Sequence, residues 1–85
     1  MKPYVDIDNL RIINHTTPQS ELVWHRDRED RSVTIVEGND WLLQMEDELP
    51  IRLNISQTYF IPKMTYHRVI RGTSTLKIEI TKSLE

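Results

Sequence analysis

The most constraining feature of the sequence is a strict alternation of apolar and polar side chains near its carboxyl end. Leu76, Ile78 and Ile80 are each separated by one polar residue. Because successive side chains of a strand point to opposite faces of the sheet, a period of two places one face of this strand on a core. No stretch of ten or more residues keeps apolar residues at the three-to-four spacing of a helix. The chain is therefore predicted to be all-β, with little or no helix.

Other short apolar runs share this character and are bounded by turn residues such as Pro18, Gly38 and Gly72. Many short strands at near-regular spacing are typical of a β-sandwich or β-barrel. Closing the sheet would also hide strand edges that a small open sheet leaves unpaired. We expect one domain over residues 1–85. The further strands are predicted at residues 12–13, 22–24, 33–36, 41–45, 51–55, 59–61 and 67–70.

Composition excludes several classes of function. The chain has no cysteine, which rules out disulfide scaffolds and thiolate metal sites and leaves His and carboxylate as the strong metal ligands. Eleven basic and thirteen acidic residues give a net charge of -2, which offers no basis for nonspecific nucleic-acid binding. The first ten residues lack an apolar run long enough for a secretion signal or a membrane span. We expect a cytoplasmic protein that binds neither nucleic acid nor membrane.

Two groups of residues have informative spacing. The first is His25, one residue, Asp27, three residues, Arg31, six residues, Gly38. The second has Ser56, Pro62, Met64, His67 and Arg71 at fixed offsets.

In both spacing and order these groups resemble the two sequence motifs of the cupin family. The first cupin motif reads His, one residue, His, three or four residues, Glu, six residues, Gly. The second reads Gly, five residues, Pro, one residue, Gly, two residues, His, three residues, Asn. His25, Gly38, Pro62 and His67 match the family residue for residue, whereas the other positions match in spacing alone. The resemblance covers residues 24–71 and implies a small, jelly-roll-like cupin β-barrel that forms a homodimer.

The resemblance also implies a metal site at the mouth of the barrel. The family ligands at matching positions are His25, Asp27 and His67, and the first two, lying two apart, would leave one face of a strand. Two imidazoles and one carboxylate resemble the triad that holds a non-haem metal and leaves positions open for a substrate. The expected cofactor is a divalent transition metal: Fe, Mn, Ni or Zn.

The family's third ligand, a glutamate, is Arg31 here, and a guanidinium cannot bind a cation. Two interpretations stay open. In one, Arg31 or Arg71 receives the anionic group of a small substrate of a metalloprotein, and Tyr59 offers a phenol to the pocket. In the other, Arg31 pairs with Asp27, no metal binds, and the pocket takes an anionic or sugar-like ligand. A purely structural, dimerising barrel is a third reading, in which Trp24 and Trp41 cover a core or a dimer face.

Overall fold

The architecture consists of eight strands in two antiparallel sheets, as seen in a computed structural model that describes residues 4–82. The predicted domain of residues 1–85 also includes residues 1–3 and 83–85, which lie outside the described part. The strands are β1 (Val5–Ile7), β2 (Leu10–Ile13), β3 (Arg31–Glu37), β4 (Leu42–Met45), β5 (Ile51–Arg52), β6 (Thr58–Ile61), β7 (His67–Ile70) and β8 (Leu76–Lys82). The all-β prediction is confirmed, since the one helical element in residues 4–82 is a 3-10 turn at Gln19–Glu21.

The larger sheet has the strand order β1-β2-β8-β3-β6 and the smaller one β5-β4-β7. The long strands β3 and β8 lie at the centre of the larger sheet, with Val33 opposite Ile80 and Ile35 opposite Ile78. Their buried side chains alternate with half-buried or exposed ones, as the period of two requires. None of the helical residues between 4 and 82 forms a segment long and apolar enough to cross a membrane.

The core is formed by apolar side chains from both sheets. Trp41 and Leu76 are fully buried, and the Trp41 indole donates to the Ser74 carbonyl oxygen at 2.6 Å. Trp41 therefore belongs to the core and cannot form a dimer face, whereas Trp24 is 41% exposed. The buried apolar set is Ile13, Leu22, Val33, Ile35, Trp41, Leu43, Leu53, Ile61, Leu76, Ile78 and Ile80.

Close backbone packing explains one glycine. A Cβ atom at Gly72 would lie 2.1 Å from the Asn39 carbonyl oxygen and 2.5 Å from Cδ1 of Trp41. Both distances are far below van der Waals contact, so only glycine fits where this loop crosses the buried tryptophan.

Two sequence expectations about strands were wrong. Residues 22–24 form no strand, because they follow the 3-10 turn directly and pair with no neighbour until His25. The strand predicted at residues 51–55 ends at Arg52, and Ile55 is 52% exposed in a turn. In addition, β1 was not predicted from the sequence. Its apolar residues Val5 and Ile7 are both exposed, so no buried face marks it in the sequence.

Candidate metal centre

The two histidines are brought together by the backbone. His25 and His67 form an isolated antiparallel bridge, in which each backbone N–H donates to the carbonyl oxygen of the other residue, at 3.0 and 2.8 Å. Directly opposed residues in an antiparallel pair project their side chains from the same face. The two imidazole rings are accordingly 4.3 Å apart between centroids, tilted by 60°.

Both imidazoles have their tautomer fixed in the same way. Nδ1 of His25 lies 2.9 Å from the Val23 carbonyl oxygen, and Nδ1 of His67 lies 2.8 Å from the Thr65 carbonyl oxygen. A carbonyl oxygen can only accept, so each Nδ1 carries the proton and donates it. In the neutral ring the lone pair then lies on Nε2, which is the state in which a histidine ligates a metal while a carbonyl orients its other nitrogen.

Asp27 completes the group from the segment that follows His25. Its backbone carbonyl oxygen accepts from the Met64 N–H at 2.7 Å, which holds this segment against the turn leading into β7. Its Oδ2 lies 3.4 Å from Nε2 of His67. The three side chains of His25, Asp27 and His67 each offer one potential ligand atom, and these atoms all lie within 4.8 Å of one another.

The contact between Asp27 and His67 leaves two acceptors facing each other. Oδ2 of Asp27 is buried and has no hydrogen-bond partner, and Nε2 of neutral His67 has no proton to give it. An unsatisfied buried acceptor is costly unless something positive lies beside it. A cation between these two atoms would satisfy both.

Protonation of His67 is one way to supply that positive charge, and burial opposes it. His67 is 4% exposed, and its burial lowers the pKa of the imidazole below its ordinary value of 6.5. The nearby His25 and Arg31 act in the same direction, while the Thr65 carbonyl and Asp27 act against them. The ring is therefore neutral at physiological pH, with its Nε2 lone pair available.

Arg31 is held mainly by a different carboxylate. Its guanidinium donates twice to Oε1 of Glu29, at 2.8 and 3.0 Å, and lies 3.4 Å from Oδ1 of Asp27. Asp27 thus faces Arg31 with one oxygen and His67 with the other. The Arg31 bond also lowers the pKa of Glu29. Asp27 and Glu29 each carry a negative charge and Arg31 carries a positive one, so these three side chains have a net charge of one negative unit.

The group lies at the edge of a cavity of about 370 Å³ between the two sheets. His25, Asp27, Arg31 and His67 all line it. The exposed residues of its lining, among them Glu21 and Val23, form a rim next to His25, whereas Ile35, Leu43 and Leu76 form its buried wall.

Two residues expected at the site lie elsewhere. The Arg71 side chain donates to the Thr17 carbonyl oxygen at 3.3 Å and does not line the cavity. Tyr59 packs against the core, but its hydroxyl donates to the Arg52 carbonyl oxygen and accepts from the Asn54 N–H. Its phenol is thus directed to the loop after β5 and away from the histidines.

Arg11 lines the cavity and was missed from the sequence. It lies two residues before the buried Ile13 in β2, so alternation already places both on the inner face. Its guanidinium is taken up by Asp6, with bonds of 2.8 and 3.1 Å, and lies 3.7 Å from the centroid of the Tyr4 ring. The alternation of side chains along β2 could therefore have identified Arg11 from the sequence.

Fold and site together define a small two-sheet β protein with a His–Asp–His group beside an interior cavity. No family model matches the chain, and the curated proteins yield no significant match. Among solved structures the chain is similar to the crystal structure of protein NMB1881 from Neisseria meningitidis, with a TM-score of 0.59 and 17% sequence identity. The superposition covers 94% of this chain and 80% of that one. At this identity the likeness concerns the fold alone.

Proposed function

We propose that this protein is a small cupin-type metalloprotein that binds one divalent transition-metal ion through His25, Asp27 and His67. The observation that carries the proposal is the buried, unpartnered Oδ2 of Asp27 facing Nε2 of His67 at 3.4 Å. Two ligands that each bond a tetrahedral ion at about 2.1 Å lie about 3.4 Å from each other. The pair is therefore spaced as two ligands of one ion.

The backbone supports the cupin resemblance where the residue identities depart from it. The family has glycine at the positions of Gly38, Ser56 and Met64, and these residues have φ values of 141°, 71° and 62°. Positive φ favours glycine, because other residues clash with their own backbone there. Ser56 and Met64 thus keep the conformation for which the family uses glycine.

Charge favours a cation over the anionic ligand of the alternative interpretation. Arg31 is already paired with Glu29 and Asp27, Arg11 with Asp6, and Arg71 points away from the cavity. Among the described side chains that line the site, no guanidinium is left without a carboxylate. An ion held by three protein ligands has open positions and supplies a Lewis acid to a bound molecule.

Metal titration of the purified, untagged protein tests the proposal. We expect near-stoichiometric binding of at least one of Fe(II), Mn(II), Ni(II) and Zn(II), measured by calorimetry and elemental analysis. His67→Ala and His25→Ala should each weaken binding by roughly 100-fold or more, since even residues that only orient a ligand contribute about 10- to 100-fold. His15→Ala is the matched control, because His15 is exposed and outside the group.

Absence of binding by all four ions would refute the proposal. An equal loss in His15→Ala and His67→Ala would refute the assignment of the ligands. The expected homodimer is tested separately, by sedimentation of the metal-free and metal-loaded protein.

A further inference from the structure

The cavity is large for so small a domain, and it opens to solvent at the rim beside His25. Protein cores are packed like organic crystals and contain few voids larger than a water molecule. An apolar cavity of about 150 Å³ is enough to take up benzene. This cavity has a volume of about 370 Å³, which at about 30 Å³ per water corresponds to roughly a dozen non-hydrogen atoms.

The wall of the cavity is largely apolar. Water in such a space would have few polar partners, whereas an apolar molecule would be transferred out of water at a gain. Such a wall does not suit a sugar, because a sugar-binding pocket would need many hydrogen-bonding side chains. The apolar lining includes Val23, Val33, Ile35, Leu43 and Leu76.

The polar end of the cavity has a defined charge once a divalent ion is bound. Apart from Glu21, whose carboxylate is exposed to water on the rim, Asp27 and Glu29 contribute two negative charges, and Arg31 and the ion contribute three positive ones. The remaining single positive charge lies where apolar wall and exposed rim meet. A carboxylate of one negative charge would balance it and would supply an oxygen, a ligand that a divalent ion accepts.

We propose that the cavity binds a small amphipathic carboxylate, with an apolar body of about ten carbon atoms in the cavity and its carboxylate on the metal. The carboxylate half of this inference rests on the proposed metal function. The apolar half does not, because it follows from the volume and the lining alone.

Two series of probes test the two halves separately. Calorimetry of the metal-free protein with n-alkanols from butanol to dodecanol tests the apolar body. Affinity should rise about fourfold per methylene, the equivalent of about 0.8 kcal/mol per buried CH₂, and level off near decanol. The same titration with n-alkanoates, on zinc-loaded and metal-free protein, tests the head group. Zinc should strengthen decanoate binding at least tenfold and leave decanol unchanged.

Each outcome decides one part. Alkanol affinity that is independent of chain length would overturn the apolar body, whether or not zinc binds. Chain-length dependence with equal decanoate affinity in the zinc-loaded and metal-free protein would overturn the carboxylate at the metal. If zinc does not bind in a direct titration, the same series is run with whichever of Fe(II), Mn(II) and Ni(II) binds. Failure of all four ions refutes the metal function and the carboxylate half together, while the alkanol series still decides the apolar half.

A pair of variants on one strand locates the binding. Val33→Phe places a ring in the cavity and should weaken decanol binding at least tenfold while zinc binding persists, since Val33 is buried in the lining. Val36→Phe is the matched control on the same strand, because Val36 is 50% exposed and outside the lining. Equal decanol affinity in the two variants would overturn the location. Circular dichroism checks the fold, and if Val33→Phe is unfolded the chain-length series on the unmodified protein carries the test.

Discussion

Replacing Asp27 by asparagine should stabilise the metal-free protein while removing its response to metal. The buried Oδ2 of Asp27 has no partner and faces the Nε2 lone pair of His67 at 3.4 Å. An asparagine amide group in that place can donate to Nε2, which removes an unsatisfied acceptor that costs about 1–3 kcal/mol. Against this gain stands the lost attraction to Arg31, a 3.4 Å contact between two largely buried side chains, whose loss is limited because Glu29 still balances the charge of Arg31. Arg31 also keeps its two bonds to Glu29.

The net expectation is a gain of about 1 kcal/mol, which raises the Tm of a domain of this size by roughly 4–8 °C. In zinc at 100 times Kd the unmodified protein should gain about 2.7 kcal/mol and overtake the variant, whose affinity for the ion is reduced. The order of the two Tm values should therefore reverse between chelator and zinc. Differential scanning calorimetry in both conditions measures this reversal.

Asp40→Asn is the matched control for the chemistry of the substitution. Asp40 pairs with Arg52 at 2.9 Å on the surface, outside the lining of the cavity, with half of its side chain exposed. It should shift Tm by only a few degrees and leave the zinc response intact. A metal-free Asp27→Asn protein that melts several degrees below the unmodified one would refute the reasoning, because it would show that Asp27 serves as a structural partner of Arg31.

Three further predictions follow from neighbouring features. Met64→Gly should raise the free energy of unfolding in urea by about 0.5–1 kcal/mol, since Met64 has a φ of 62° and its side chain is 46% exposed; a loss of stability would contradict the argument from backbone strain. Arg31→Glu should lower the metal-free Tm, because it gathers three carboxylates, and enlarge the Tm shift caused by zinc; an unchanged shift would mean that residue 31 does not face the ion. For the metal-free protein, the lowered pKa of His67 means that the unfolded chain takes up its proton first on acidification, so the contribution of His67 is complete above about pH 6.5 and declines below it. Urea titrations should show that the free energy of unfolding falls less between pH 8 and pH 5.5 in His67→Gln than in the unmodified protein. An equal fall in both proteins would contradict the assignment of this pH dependence to His67.

Alternation was sufficient to predict the strands that have one buried face. The strand predicted at residues 67–70 has the same bounds as β7, and the inward residues predicted for β8 are buried. Alternation failed as a predictor where apolar residues are not buried in the structure. Residues 22–24 are apolar, yet only Leu22 is buried, because the chain there leaves a 3-10 turn and meets a partner strand first at His25. Whether such a segment forms a strand depends on pairing with a distant segment, and its own sequence does not reveal that pairing.

The ends of long side chains were the least predictable part of the site. Arg71 and Tyr59 were placed by their position in a motif and by strand parity, which fix where a side chain starts. Their polar ends instead bond to backbone carbonyl oxygens, those of Thr17 and Arg52. Short side chains leave less choice, which is why the two imidazoles, fixed by a backbone bridge, lie together as their spacing implied.

The sequence left Asp27 with two roles that excluded each other, metal ligand or partner of Arg31, and the structure removes the conflict. A carboxylate has two oxygens, and here each faces a different neighbour, Oδ1 towards Arg31 and Oδ2 towards His67. Glu29, which matches no motif position, accepts two hydrogen bonds from the guanidinium. Because Glu29 accepts these hydrogen bonds, Arg31 contacts only one oxygen of Asp27, and the second oxygen stays beside His67. The arginine at the position of the cupin motif's glutamate therefore holds one side of Asp27 and leaves the other side directed at His67, where the proposed ion would bind.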